Sequence, residues 1–187
     1  TVPYQTGQIL WGNTGTNSQH SFHQLFHQGT HLCNIDFLLP LTSHYKLGHQ
    51  HRYLVSNCLA QSQTLMKGKS EKEAMQELIN QGLDKEEAAR LAPHKAVPGN
   101  KPSTLICYDK MTPKVLGQLI ALYEHKVYVQ SVIWDINAFD QWGVESGKQL
   151  CDSIEPYLQS DNPKTLTDLD ASTAQIINRY HQLQKKS

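Results

Sequence analysis

Short apolar runs that alternate with helical patterns constrain the fold of this chain more than any other feature. The runs occupy residues 8–11, 31–41 and 104–109, and Pro40 closes the second one. Strands that alternate with helices favour a parallel sheet covered by helices on both faces. Because such sheets usually hold about four to six strands, three strands predict an α/β fold whose sheet is only partial.

Helices are expected between and after these strands. The first predicted helix has apolar residues at Phe22, Leu25 and Phe26 and ends at Gly29, and a long helix follows over residues 50–67. Two short surface helices come next; they are capped by Ser70-x-x-Glu73 and Asp84-x-x-Glu87, and the second ends before Pro93. The remaining predicted helices run from Pro113 through Ile133, over residues 139–158, and from a cap at Asp170. The helix after Thr112 is apolar almost all round, so we expect it to be buried on several faces.

Charge and cysteine content exclude several classes of protein. Seventeen Lys and Arg balance seventeen Asp and Glu, whereas a sequence-blind nucleic-acid binder needs excess basic charge. The four cysteines form no CxxC pair, so we expect small buried apolar residues in a reducing compartment. The first residues lack a signal-peptide pattern, and Glu-His-Lys at 124–126, read as an exposed helix edge, interrupts the longest apolar run. We therefore expect a cytoplasmic protein with no nucleic-acid or membrane partner.

Four histidines recur at helical spacing. They are His20, His23, His27 and His31, separated by three, four and four residues. Two imidazoles four residues apart on one helix can share a metal ion, so one hypothesis is a zinc site. Against it, no carboxylate lies between the histidines as in His-Glu-x-x-His, and Gly29 ends the helix before His31. The alternative is a stripe that lines a polar interface.

The loop at residues 12–18 precedes the first predicted helix. Backbone N–H groups at a helix N-terminus attract anions, so a phosphate could bind there. The spacing matches neither a dinucleotide fingerprint nor a P-loop, and the alternative is an ordinary βα turn with an Asn or Ser cap. His20 lies just beyond this turn. In open α/β sheets ligands collect at the carboxyl ends of the strands, which singles out His20 as a candidate site residue.

The segment at residues 139–148 is the third candidate. Gly143 and Gly147 fall within a predicted helix, where glycine is unfavourable unless a close backbone approach requires it. Glu145 and Lys148 lie three residues apart and share a helix face. Spacing alone leaves two interpretations open, a functional pair and an ordinary i, i+3 ion pair.

Several of these segments together resemble the glucose-6-phosphate isomerase family, also called phosphoglucose isomerase. The resemblance rests on SVIWDINAFDQWGVESGK at residues 131–148, GTNSQH at 15–20, LYEHK at 122–126 and DAST at 170–173. These motifs occur in order, and the resemblance covers essentially all 187 residues. The chain resembles the C-terminal part of such an enzyme.

The resemblance implies an aldose–ketose isomerase of glycolysis and gluconeogenesis that interconverts glucose 6-phosphate and fructose 6-phosphate in the cytoplasm, without a metal or organic cofactor. It implies a sugar-isomerase-type parallel sheet sandwiched by helices, with a helical C-terminal extension. Residues 1–138 would be the C-terminal part of the second such domain, with a helical insertion at 44–95. Residues 139–187 would form the C-terminal helical segment that carries the lysine motif.

By motif match, the resemblance also implies roles for three residues. His20 would assist opening of the sugar ring, Lys148 would act beside the ring oxygen, and Gln141 would contact the sugar-phosphate substrate. Histidine suits the first role because imidazole gives and takes a proton near neutral pH. An ammonium group can donate a hydrogen bond to the ring oxygen. The family forms homodimers in which this histidine reaches the neighbouring subunit's active site, so His20 would be shared across the dimer.

The resemblance places the remaining catalytic groups outside this chain. The family's proton-shuttling glutamate, its enediolate-stabilising arginine and its phosphate-binding loop all lie N-terminal to Thr1, in the remainder of the polypeptide. Glu145 does not match the base, so we expect the 187 residues alone to be inactive. Smaller departures are Ser18 for Gly, Ser146 for Leu and Asn13 for Glu. The alternative function is a non-catalytic sugar-phosphate-binding module on the same fold.

Overall fold

The computed structural model describes residues 2–7, 10–159 and 166–185. It divides into two compact units, Thr1–Lys126 and Val127–Ser187. The elements follow the order α1 (Gly15–Ser21), α2 (His23–Gln28), β1 (Ile35–Pro40), α3 (Gln50–Lys67), α4 (Glu71–Asn80), α5 (Lys85–Lys95), β2 (Ser103–Tyr108), α6 (Pro113–Ile133), α7 (Trp142–Leu158), a 3₁₀ turn (Leu166–Asp168) and α8 (Ala171–Gln184).

The sheet of the first unit is parallel, as predicted. Strands β1 and β2 pair in a register that joins Ile35 to Ser103 and Pro40 to Tyr108. The crossover between them contains α3, α4 and α5, and α3 packs against both strands. Pro40 is the last residue of β1, although the N–H groups of Leu41 and Thr42 still donate to Tyr108 O and Asp109 O at 2.8 Å.

A strand is also predicted at residues 8–11, and this prediction is wrong for the two of those residues that the structure describes. Gln8 and Ile9 lie outside the described residues, and Leu10 and Trp11 belong to no strand. The Trp11 ring stacks on Phe26 instead, with ring centroids 5.8 Å apart and planes 11° apart. Aromatic packing against α2 therefore takes the place of sheet pairing in this apolar run.

The single helix predicted across the histidine series is also wrong. Phe22, at φ −146° and ψ 0°, interrupts the helical backbone between α1 and α2. At this break the Phe22 ring packs edge-on against Trp11 and Phe26. The break places His20 on a different helix from His23 and His27, so the three do not form one continuous stripe.

Helices α4 and α5 form a hairpin with a core of its own; we call residues 68–99 the helical hairpin. Its buried residues are Ala74, Leu78, Ala88 and Ala92. Both predicted caps are present: Ser70 and Glu73 form a reciprocal capping box, and the Asp84 carboxylate accepts from the Glu87 N–H at 2.9 Å. The hairpin therefore follows from its local sequence.

The neck of the helical hairpin depends on two glycines. Gly68 and Gly99 both have φ of +68°, and a Cβ on either would collide with the backbone of the other strand of the neck. Lys69 and Val97 close the neck by exchanging two backbone hydrogen bonds of 2.9 Å. Only glycine accommodates both the positive φ and this close approach.

Helix α5 does not end before Pro93 as predicted but continues to Lys95. A proline removes one N–H donor, and here the loss falls in the last turn, where the Ala96 N–H still donates to Ala92 O at 3.0 Å. The Gln28 side chain also donates to the carbonyls of His94 and Ala96. These bonds satisfy the last carbonyls of the helix.

Helix α6 begins at Pro113 as predicted, with the Thr112 hydroxyl accepting from the Val115 N–H at 3.2 Å. The expectation that it is buried on several faces is wrong within the described residues. Leu119 and Ser131 are buried, whereas many apolar side chains along the helix are exposed, Ile133 by 71%. The residues in this structure cover only part of its apolar surface.

The second unit contains the C-terminal end of α6 together with the whole of α7 and α8. Helix α7 starts at Trp142, three residues later than predicted, because the Phe139 N–H donates to the Asn137 side chain at 2.9 Å and the chain turns there. The Asp170 side chain caps α8 as predicted, accepting from the Thr173 N–H at 3.0 Å. Among the described residues, no helix is both long enough and apolar enough to span a membrane.

The cysteines only partly follow the prediction that they are buried. All four are free thiols; Cys33 and Cys58 are half-buried, whereas Cys107 and Cys151 are exposed. Cys107 lies on β2 and Cys151 on α7. The prediction of burial is therefore wrong for Cys107 and Cys151.

Candidate active site

His20 lies in the last turn of α1, and its side chain is exposed. Ser18 on the same helix is buried, and its hydroxyl donates to Gly15 O within α1 at 3.2 Å. Asn13 accepts from the Thr14 N–H at 2.7 Å, while no side chain caps the helix at its first turn. The exposed imidazole is therefore carried on a short helix that buries Ser18.

His23 is buried among aromatic rings. It is 8% exposed, and its ring centroid lies 5.4 Å from that of Phe26 and 6.3 Å from that of Phe37 on β1. Burial lowers the pKa of His23, and the charge of His27 lowers it further, against a hydrogen bond with Gln61 that raises it. His23 is a neutral core side chain, not a group aimed at solvent.

The zinc hypothesis has no support in the part of the chain that the structure describes. No group of three or more His, Cys, Asp or Glu side chains there could hold a metal ion. The Nε2 atom of His27 pairs with Gln61 Oε1 at 2.6 Å, which ties α2 to α3. His31 lies beyond Gly29, outside any helix.

Gln141, Glu145 and Lys148 form one exposed stripe at the start of α7. Gln141 occupies the N-cap position, and its carbonyl accepts from the Glu145 N–H at 2.9 Å. Residues seven apart on a helix face the same way and lie about 10 Å apart along the axis. The structure thus presents Gln141 and Lys148 on one face, about two turns apart.

The ordinary ion pair between Glu145 and Lys148 is not formed among the described residues. The Lys148 ammonium is exposed and available to another partner. A Cβ on Gly143 or Gly147 would meet nothing within 4 Å. The close backbone approach that these glycines suggested is therefore not made within the described chain.

An open cavity of about 460 Å³ precedes this stripe in the second unit. Residues of the 131–148 motif line it, among them Ser131, Asp135 and Phe139. The Ser131 hydroxyl donates to Tyr128 O at 2.7 Å, and the Phe139 side chain is 79% exposed. The conspicuous motif thus forms a concave, partly apolar surface that leads into α7.

Sequence analysis missed a polar cluster on β1 and α6. Asp36 Oδ2 accepts from Lys126 Nζ at 2.9 Å and from Tyr123 Oη at 3.1 Å. Lys126 is therefore not part of the exposed edge predicted at residues 124–126, although Glu124 and His125 are exposed. The available signal was Asp36 itself, a charged residue inside an apolar strand, where an unpaired charge is costly.

The electrostatics of this cluster favour the ionised carboxylate. Burial alone would raise the pKa of Asp36, but hydrogen bonds from Lys126 and Tyr123, together with the Lys126 charge, hold it below its usual range. Burial and the neighbouring carboxylate raise the pKa of Tyr123. The cluster is thus a carboxylate held by a cation and a phenol.

Comparison with known proteins places these features in one family. The model of the family described as phosphoglucose isomerase matches residues 1–177. A glucose-6-phosphate isomerase of Hahella chejuensis is 54% identical over 179 residues, which is 96% of this chain and 32% of that protein. One of Saccharophagus degradans is 50% identical over 184 residues, which is 98% of this chain and 33% of that protein.

A solved structure agrees with the sequence comparison. The crystal structure of a glucose-6-phosphate isomerase from Chlamydia trachomatis superposes with a TM-score of 0.67 at 29% identity, covering 97% of this chain and 31% of that one. The chain thus spans about a third of the length of the relatives that it matches.

Proposed function

Because the chain belongs to the phosphoglucose isomerase family, we propose that it is the part of a glucose-6-phosphate isomerase that opens the sugar ring. The observation that carries the proposal is the family match over residues 1–177, which includes every candidate site residue. The substrate would be a sugar phosphate, and the enzyme would act in the cytoplasm. Residues 1–138 and 139–187 would be its two domain segments.

Ring opening sets the chemical demands on the site. The C1–O5 bond breaks, O5 gains a proton and the C1 hydroxyl loses one. His20 would carry this proton, which suits an exposed imidazole that no described residue engages. Lys148 would stabilise the charge that develops on O5, and Gln141, on the same face of α7, would hold the sugar. The later proton transfer between C2 and C1 would need a base from the remainder of the polypeptide.

The first experiment measures conversion of fructose 6-phosphate to glucose 6-phosphate by this chain alone and by a chimera. In the chimera, the N-terminal two-thirds of the Hahella chejuensis relative precede this chain. We expect no turnover by the chain alone and turnover by the chimera. Substitution of His20 by Ala in the chimera should lower turnover by about 10²–10⁴-fold. His31→Ala, another exposed histidine, serves as the matched control.

Two outcomes would contradict this proposal. Full turnover by the 187 residues alone would mean that the base lies within them, and Glu145 would be the next residue to replace. Unchanged sugar-phosphate binding with no turnover in either form would favour the non-catalytic binding module.

The proposed homodimer, in which His20 serves the neighbouring subunit, has its own test. Inactive His20→Ala and Lys148→Met chimeras are mixed, unfolded and refolded together. If the site is shared, half of the dimers are mixed and each carries one intact site of two, so about a quarter of the activity returns. If both residues come from one subunit, the mixed dimers stay inactive.

A further inference from the structure

Asp36 connects three elements of the first unit through one side chain. It lies on β1, where Thr104 of β2 is its register partner, and its Oδ2 atom accepts from Lys126 and Tyr123 of α6. The Lys126 ammonium also lies 5.4 Å from the centre of the Tyr123 ring. One carboxylate of β1 thus accepts two hydrogen bonds from the helix, and β1 in turn pairs with β2.

The spacing of the two donors on α6 fixes the rotation of that helix. Tyr123 and Lys126 are three residues apart, so they project from one face. Both must reach a single oxygen atom, which they do at 3.1 Å and 2.9 Å. A rotation of α6 about its axis would break at least one of these bonds.

The position of the cluster along the chain gives it more than a packing role. Lys126 is the last residue of the first unit, and α6 continues from it without a break to Ile133. The chain then runs directly into the segment with Gln141 and Lys148. On the other side, Asp36 adjoins Phe37, whose ring contacts His23 of α2, the helix that follows His20. The cluster thus lies on the helix that precedes the Gln141–Lys148 segment in the chain, and next to the strand residue that contacts α2.

We propose that Asp36, Tyr123 and Lys126 are positioning residues, which hold α6, the helix that continues toward the Gln141–Lys148 segment, at one rotation against β1. This proposal rests on the proposed function. It makes Lys126 important for the rate of ring opening through its bond to Asp36. If the ion pair were merely structural, its loss would lower the fraction of folded molecules but would leave the rate per folded molecule unchanged.

The matched control is a second ion pair of similar length. Lys69 Nζ and Glu77 Oε2 are 2.8 Å apart in the helical hairpin, with side-chain exposures of 33% and 49%, against 37% and 23% for Lys126 and Asp36. Lys69→Met and Lys126→Met each remove one charge and one hydrogen bond. They differ in whether the lost bond holds the helix that leads into the candidate site.

The experiment measures kcat and KM of the active chimera per folded molecule, with the folded fraction determined from thermal unfolding. A displacement of about 1 Å at a reacting group can cost up to about 100-fold in rate, so we expect Lys126→Met to lower kcat at least tenfold with KM changed less than threefold. Tyr123→Phe, which keeps the ring and the fold, should lower kcat by a smaller factor. Lys126→Arg should restore most of the rate, and Lys69→Met should leave it unchanged.

The outcomes separate this proposal from the one on which it rests. An inactive parent chimera, or one unaffected by His20→Ala, would overturn the proposed function. An active parent in which Lys126→Met keeps its kcat per folded molecule would overturn only the positioning role. Equal losses in Lys126→Met and Lys69→Met would also overturn it, because the effect would then be general to ion pairs.

Discussion

The helical hairpin and the α6–α7 segment are both helical, yet they place their apolar side chains differently. In the hairpin, Leu78 is only 2% exposed, and small alanines let the two helices approach closely. In the α6–α7 segment, Ile133 is 71% and Trp142 is 73% exposed. The hairpin closes its own core within about 30 residues, whereas the segment with the motif residues does not.

This difference shows which part of the chain buries its apolar side chains within the described residues and which part does not. The chain spans about a third of the length of its relatives, and the residues that the structure describes leave many apolar side chains of α6 and α7 exposed. The hairpin would then support the fold, and the α6–α7 segment would carry the chemistry. The following predictions test that division, from the largest expected effect to the smallest.

Lys148→Met should separate activity from stability most strongly. In the active chimera we expect turnover to fall by about 10²–10⁴-fold, because a positioned proton or charge partner is worth that much. The free energy of unfolding of the 187-residue chain should change by less than about 0.5 kcal/mol, since the side chain is exposed and unpaired among the described residues. Turnover assays and urea unfolding measure the two effects. Lys114→Met, another exposed lysine, is the control, and a large loss of stability would break the division.

Leu78→Ala should show the reverse pattern. Removal of a buried leucine leaves a cavity and costs about 2–5 kcal/mol, whereas Ile133→Ala in the same chain should cost less than about 0.5 kcal/mol because that side chain is exposed. Urea unfolding of both variants measures the difference. Equal losses would mean that the α6 side chain is already covered, for instance by self-association, which a dependence on protein concentration would reveal.

Ser70→Ala tests how locally the helical hairpin is determined. The Ser70 hydroxyl accepts from the Glu73 N–H at 3.2 Å, and loss of such a cap typically costs about 1 kcal/mol. Lys72→Ala, at an exposed position of the same first turn, should change stability by less than half of that. The measurement is the urea midpoint. No difference between the two variants would show that the cap contributes nothing to the hairpin.

The smallest effect is a pH dependence of stability between about pH 7 and 5.5, which we assign to His23 of α2, outside the two regions compared above. Because burial lowers the pKa of His23 in the folded state, the unfolded chain binds more protons once the pH falls through the ordinary histidine value of about 6.5. Stability is therefore complete above that pH and declines below it. His23→Gln should lose less stability than the parent chain between about pH 7 and 5.5, measured by thermal unfolding. Leu78→Ala should keep the parent pH dependence, since the hairpin core holds no titratable group.

Much of the fold follows from local sequence. The bounds of α3, the caps of α4, α5 and α8, and the start of α6 at Pro113 match their predictions, because helix hydrogen bonds and caps join residues only three or four apart. The motif at residues 131–148 was equally visible, and the family match supports the resemblance on which the roles of His20, Gln141 and Lys148 rest. Those roles themselves stay predictions.

What the sequence could not determine is set by contacts between distant residues. The Asp36–Lys126 pair joins residues 90 apart, and the ring contact of His23 with Phe37 crosses from α2 to the sheet. Phe22 ends α1 by joining an aromatic cluster with Trp11, against its helical spacing. Periodicity and capping record only the preferences of neighbours, so local sequence determined the helices, while tertiary packing decided which polar residues are buried and which apolar faces remain exposed.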